Sequence, residues 1–118
     1  MIIGEMNLIG GIMKRRLMIL VASDIQQSQD LSFHFLHSKS EKDNAIPLVM
    51  THGWPGSIQE FLKIIPIIQK NSNVPIDIIC PALPGFGFSD KPKETGMDSK
   101  QIAILQHELL MVLGYDKY

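Results

Sequence analysis

Histidine, tryptophan, proline and two glycines occur together at His52-Gly53-Trp54-Pro55-Gly56, directly after the apolar run Leu48-Val49-Met50. A buried strand that ends in such a sequence must turn sharply. Glycines permit backbone angles that other residues resist, so the turn could aim the backbone N–H of Trp54 into a cleft. Unpaired N–H groups at the carboxyl edge of a sheet are suited to holding a developing negative charge on oxygen. Trp54-Pro55 is a candidate cis bond, because tight functional turns are where cis-prolines occur. On residue types alone, an ordinary strand–helix turn plugged by an aromatic fits at least as well.

The other chemistry-bearing residues are dispersed. His34 and His37 lie three apart in an alternating segment and so face opposite sides of a strand, which argues against a shared metal. Gly85 and Gly87 sit in a loop that lacks the Lys-Ser/Thr of a phosphate-binding loop, so nucleotide binding is not supported. Asp98 and His107 read as helix-cap and helix-surface residues. Asp116 falls on a solvated helix end. No cofactor and no metal is implied.

The elements that position these residues follow from periodicity. Met13-Lys14-Arg15-Arg16 before Leu17–Ala22 faintly resembles a signal peptide. Its apolar core of six residues is short of the roughly 7–15 such a region has, and a strand after an irregular start fits better. Met6 and Met13 leave an internal start open. Asp24–Asp30 is turn-like. Leu31, Phe33 and Phe35 alternate with Ser32, His34 and Ser38, the pattern of a half-buried strand. A solvated loop over Ser38–Asn44 precedes the strand of the central turn. Ser57 and Glu60 make a capping box. Behind it, Ile58, Phe61, Leu62, Ile65 and Ile68 share one helical face, and Pro66 kinks or shortens that helix. Ile76–Cys80 reads as a central parallel strand. A Gly/Pro/Phe-rich loop follows from Pro81 to Pro92. Asp98 and Gln101 then open a second helix, with Ile102, Leu105, Leu109, Val112 and Leu113 as its stripe and Gly114 as its stop. This is the start of an α/β sheet.

Composition bounds the function classes. Of 118 residues, 45% are hydrophobic and 19% charged, with 11 basic against 12 acidic side chains and a net charge of −1. That balance gives no electrostatic basis for nucleic acid or an anionic membrane as partner. Cys80 is the single cysteine, which suits a reducing, cytoplasmic setting. No stretch reaches the ~20 apolar residues of a membrane span.

Two motifs carry a family resemblance. His52-Gly53-Trp54-Pro55-Gly56-Ser57 resembles the oxyanion loop of α/β-hydrolases in the Trp-containing form of epoxide hydrolases, and Leu83-Pro84-Gly85-Phe86-Gly87-Phe88-Ser89-Asp90-Lys91-Pro92 is similar to that family's loop after the fourth strand. Leu31–His37 is like its second strand, and Leu113–Tyr118 like the end of the helix before the nucleophile strand. The resemblance runs from about Leu31 to the last residue. It divides the chain into an unrecognised amino-terminal segment, residues 1–30, with a possible first strand, and residues 31–118, the amino-terminal part of the hydrolase domain.

The resemblance implies a partial α/β-hydrolase fold, the first four strands with helices A and B, ending before the nucleophile elbow. It implies hydrolysis of a small apolar epoxide to a diol through an alkyl-enzyme ester. The Trp54 N–H would be one oxyanion donor. His52, Gly53, Pro55, Gly56 and Phe86 would support the turn and pocket, with His52 structural rather than the catalytic base. Nucleophile, cap tyrosines, acid and base have no match in this chain, so it is expected to be inactive alone. A haloalkane dehalogenase or esterase relative is the alternative within the fold, with Trp54 against the former; a non-catalytic interaction module is the alternative outside it. In the family's strand order, 1-2-4-3-5, the Leu48–Thr51 strand becomes an open edge here, so self-association or poor folding is expected.

Overall fold

The computed structural model describes residues 2–5, 18–22 and 31–118, with side chains from residue 31 onward. The basic run Lys14–Arg16 and the turn expected over Asp24–Asp30 lie outside the described residues. The strands are β1 (Ile2–Glu5), β2 (Met18–Ala22), β3 (Phe33–Ser38), β4 (Ile46–Val49) and β5 (Ile76–Pro81). The helices are α1 (Ile64–Asn71) and α2 (Ser99–Val112), with a short 3-10 helix at Ile58–Phe61. The strands form one sheet in the order β1-β2-β3-β5-β4. β1, β2, β3 and β5 pair antiparallel in sequence across it, and β4 pairs parallel to β5 through Leu48↔Ile78 and Val49↔Ile79.

Alternation decides which helix covers which face. Phe33 and Phe35 from β3 and Ile79 from β5 meet Leu105, Leu109 and Leu110 of α2. Leu36, Ile78 and Cys80 point to the opposite face and meet Ile58 and Ile65, with Phe61, Leu62 and Ile68 packed around them. Each such side chain contributes about 1.5–3 kcal/mol when fully withdrawn from water, so both faces depend on their helix. β3 is not half-buried as its alternation suggests: all six of its residues are buried. Its polar face is covered because α1 and the loop after β5 lie over it. Ser38 Oγ donates to Gln69 Oε1 on α1 at 3.0 Å, and the backbone N–H of His34 donates to Ser89 Oγ at 3.0 Å.

The helix expected from Ser57 is split. Both halves of the capping box form: the Ser57 side chain accepts from the backbone at the helix start, and the Ser57 N–H donates to Glu60 Oε1 at 2.9 Å. Pro66 has no N–H for the Leu62 carbonyl, so a 3-10 turn ends at Phe61 and the α-helix restarts at Ile64. Pro66 then falls in a first turn, where no donor is needed. Asp98 caps α2 by accepting the Gln101 N–H at 2.9 Å. At its other end Gly114, with φ 90°, closes a Schellman motif: Gly114 N–H donates to Met111 O at 3.0 Å and Tyr115 N–H to Leu110 O at 2.9 Å. Within the stripe of α2, Leu110 is buried, whereas Val112 is exposed.

β5 is central, as expected, but mixed rather than wholly parallel, since β3 runs against it. β4 is the edge. It spans Ile46–Val49 rather than Leu48–Thr51, although the Met50 N–H still donates to Ile79 O at 2.9 Å. Ile46 and Leu48 are exposed on it.

Candidate functional site

The parallel strands β4 and β5 run in the same direction, so their following loops meet at one edge of the sheet. After β4, Gly53 O accepts the Gly56 N–H at 2.7 Å, closing a four-residue turn with Trp54-Pro55 cis at its centre. That is the arrangement of a type VI turn. Gly56 has no room for a side chain: a Cβ there would collide with the Glu60 carboxylate and stand 3.0 Å from Gly53 O. Gly53 has open space around it instead. Trp54 is 84% exposed, and among the described residues no acceptor takes its N–H.

His52 holds the turn from beneath. It is 3% exposed. The Leu83 N–H donates to its Nε2 at 3.0 Å, which requires a lone pair there and assigns the ring proton to Nδ1. Nδ1 in turn lies 3.2 Å from Gly53 O, the same oxygen that closes the turn. The ring packs edgewise on Phe86, with centroids 5.2 Å apart. The loop after β4 and the loop after β5 are therefore joined through one imidazole.

The second loop is itself anchored to β3. Ser89 Oγ accepts from His34 N–H and donates to Ala82 O at 2.9 Å. The Ala82 N–H donates to His34 O at 2.8 Å, the Asp90 N–H to Ser32 O at 2.9 Å, and the Ser32 N–H to Asp90 Oδ2 at 2.9 Å. Phe88, 80% exposed, stands edge-on to the His34 ring at 5.1 Å. Burial holds His34 below the ordinary histidine range. It also pushes the Cys80 thiol, beneath the site in β5, up to about 12.

The sequence-predicted residues His52, Gly53, Trp54, Pro55, Gly56 and Phe86 thus come together at one edge. Asp98 and His107 do not join them: Asp98 caps α2, and His107 Nδ1 meets Tyr118 OH at 2.7 Å on the surface. Leu83 and Ser89, which carry the bonds between the loops, stood inside the second motif without an assigned part. A backbone N–H leaves no trace in residue type, so Leu83 had no signal. Ser89, a small hydroxyl flanked by Phe88 and Asp90, had a weak one. Among the described residues no group of three or more His, Cys, Asp or Glu could hold a metal ion, and no helix is long and apolar enough to cross a membrane.

Comparison with known proteins agrees with this architecture. The family model "Epoxide hydrolase N terminus" matches residues 18–61, and "alpha/beta hydrolase fold" matches residues 46–117. A Stigmatella aurantiaca protein that carries an epoxide hydrolase name is 45% identical over 95 residues, covering 75% of this chain and 22% of its own length. Juvenile hormone epoxide hydrolase 2 of Ctenocephalides felis is 38% identical over 96 residues, covering 76% and 21%. The crystal structure of juvenile hormone epoxide hydrolase from Bombyx mori superposes with a TM-score of 0.72 at 32% identity, over 89% of this chain and 28% of that one. The chain spans about a fifth of the length of these curated relatives. Two overlapping family models together run from residue 18 to residue 117: the chain belongs to the α/β hydrolase fold family, and its residues 18–61 match the amino-terminal segment of epoxide hydrolases.

Proposed function

We propose that this chain supplies the oxyanion turn of an enzyme that hydrolyses small apolar epoxides to vicinal diols. The observation that carries the reading is the exposed Trp54, whose backbone N–H has no acceptor among the described residues, at the carboxyl edge of β4 and β5. The chemistry divides into two steps. A carboxylate from the following part of such a fold attacks a ring carbon, the carbon–oxygen bond breaks, and the alkoxide takes a proton from an acid. The resulting alkyl ester is then attacked at its carbonyl by water that has given its proton to a histidine base. The tetrahedral oxyanion accepts a hydrogen bond from Trp54 N–H, and its collapse releases the diol and regenerates the carboxylate.

Within that scheme His52 is a support. Its Nε2 is occupied by Leu83 N–H and its Nδ1 faces Gly53 O, so neither nitrogen is available to a water molecule. Trp54 and Phe86 supply apolar walls. The exposed edge of β4 favours association of two copies along that strand when nothing else covers it. The lone cysteine, buried and unpaired, fits a reducing, cytoplasmic setting.

The test is a chimera. This chain replaces the matching segment of the Bombyx mori enzyme, and turnover of a simple aryl epoxide is measured beside the 118-residue chain alone. The chimera is expected to turn over and the chain alone to stay at background. A folded but inert chimera would overturn the reading, as would turnover by the chain alone that disappears with Asp116→Asn.

A further inference from the structure

A second polar network lies at the opposite end of the sheet, and the chemistry above does not use it. His37 in β3 and Asp77 in β5 share the face covered by α2, because each alternates in phase with the residues packed there, Phe35 and Ile79. Tyr115 follows the Schellman turn of α2 and reaches back between them. Its hydroxyl donates to Asp77 Oδ2 at 2.7 Å, and the hydroxyl oxygen of Tyr115 lies 2.8 Å from His37 Nε2. Asp77 Oδ1 accepts the Ser40 N–H at 2.7 Å, closing the loop after β3 onto the same carboxylate.

Counting protons fixes the direction of each bond. A phenol has one hydrogen, and an ionised carboxylate can only accept it. Tyr115 therefore donates to Asp77, and His37 must donate its Nε2–H to the Tyr115 oxygen. The ring proton is thereby spent, and Nδ1 keeps a bare lone pair. That atom is buried and has no partner among the described residues. His37 itself is 2% exposed.

A proton arriving at Nδ1 meets no acceptor. It would place a cation and an unpaired donor in the space between β3 and the end of α2, where both are costly. Lifting the end of α2 would admit water to the ring and relieve both. We propose that His37, Tyr115 and Asp77 form an acid-released latch, which holds the carboxyl end of α2 on the sheet while His37 is neutral and frees it when the ring takes a second proton.

The surroundings support this direction. Burial is the largest influence on His37 and lowers its pKa, the Lys39 ammonium lowers it further, and the Asp77 carboxylate opposes them without prevailing. The Tyr115 phenol is pushed up by burial and by its bond to Asp77, so it remains a donor throughout. β2 pairs with His37 at Met18 in the backbone register, and the sequence over Met18–Ala22 contains no titratable residue type. α2 carries Lys100, His107 and Glu108, and none of them is among the charges that act on His37. The sign follows from linkage. The closed form binds the second proton more weakly than the open form, whose histidine titrates near 6.5. The latch is intact above that pH, and opening grows as pH falls below it, by up to about tenfold per pH unit, until the closed ring itself titrates.

Amide hydrogen exchange on the full chain tests the proposal, with rates corrected for their intrinsic pH dependence. The Gly114 and Tyr115 amides are expected to exchange faster as pH falls from 7 to 5, by about tenfold per unit at most. His37→Gln should remove that acid response, and Tyr115→Phe should give fast exchange at every pH. His34→Gln, on the other face of β3, should leave the response in place. A flat profile in the unsubstituted chain, or an undiminished acid response in His37→Gln, would overturn the latch. Should His37→Gln fail to fold, ring ¹⁵N shifts of the unsubstituted chain decide instead. An Nε2–H tautomer at neutral pH, with a ring titration that coincides with loss of amide protection, supports the latch; an Nδ1–H tautomer or separate midpoints reject it.

Discussion

The Leu83 N–H points at Nε2 of His52 over 3.0 Å, and this bond makes two loops 31 residues apart in sequence a single structural unit. It sets the tautomer of the imidazole, and through Nδ1 and Gly53 O it reaches the closing bond of the Trp54 turn. His52→Leu should therefore destabilise the chain by about 1–3 kcal/mol, the usual cost of leaving a buried donor without its partner. His52→Gln, which can offer an oxygen near the position of Nε2, should recover part of that. Urea midpoints of the two variants give the comparison, and equal losses would argue that the ring contributes packing alone.

Two glycines in the same turn should respond differently to the same change. Gly56→Ala forces the Glu60 carboxylate away and breaks the capping box, with an expected loss of about 1–2 kcal/mol. Gly53→Ala meets open space and should stay within about 0.5 kcal/mol of the parent, as unobstructed surface changes do. Thermal unfolding of both proteins side by side checks the order.

Cys80 should resist alkylation in the native state. Burial moves its thiol from an ordinary 9.0 to about 12, which leaves about a thousandfold less thiolate at neutral pH. Labelling by iodoacetamide at pH 8 is expected to be negligible over the time in which the unfolded chain reacts to completion. Prompt native labelling would show that β5 opens readily.

His34 carries a buried Nδ1 with no partner among the described residues, beside Phe88, and its pKa is lowered by burial. The stability it lends is present above about pH 6.5 and declines as pH falls toward the folded value. His34→Leu should lose little or nothing at pH 7.5, because an unsatisfied polar atom is exchanged for an apolar side chain. It should also flatten part of the acid decline. Denaturation midpoints at pH 7.5 and 5.5 supply both readings.

The open side of β4 predicts association. Ile46 is 55% exposed, and no charged side chain stands on Ile46–Val49 to discourage pairing. Leu48→Lys, on an outward position, should lower the average mass measured by light scattering at a fixed concentration. An unsubstituted chain that is already a uniform monomer would remove the basis for this expectation.

The sequence made the supersecondary order legible, because hydrophobic period, caps and turn residues act locally. The capping box of Ser57, the Asp98 cap and the Gly114 stop are of this kind. Burial of the polar face of β3 was not legible, since it depends on Ser89 and Gln69 folding over it from 55 and 31 residues away. The break at Leu62–Lys63 was only half legible. Pro66 announces a missing bond, but whether the helix bends or restarts depends on how Ile58 and Ile65 seat on β5. At the candidate site the residue types at 52–56 were informative, while their connection through the Leu83 amide was hidden in a main-chain atom. His37, Asp77 and Tyr115 were not legible as a group, because only the antiparallel register of β3 with β5 brings them together.

Trp54 is the sole tryptophan, and it stands in solvent on the turn that the site is built around. The chain therefore carries its own optical label at its most informative position. Excited near 295 nm, a wavelength selective for indole, its emission should lie close to that of a free indole in water and be strongly quenched by iodide. Any body that settles over the turn, whether a substrate-sized apolar molecule, a second chain or a covering domain, must displace water from that ring. The resulting blue shift would report occupancy at this edge of the sheet without chemical modification.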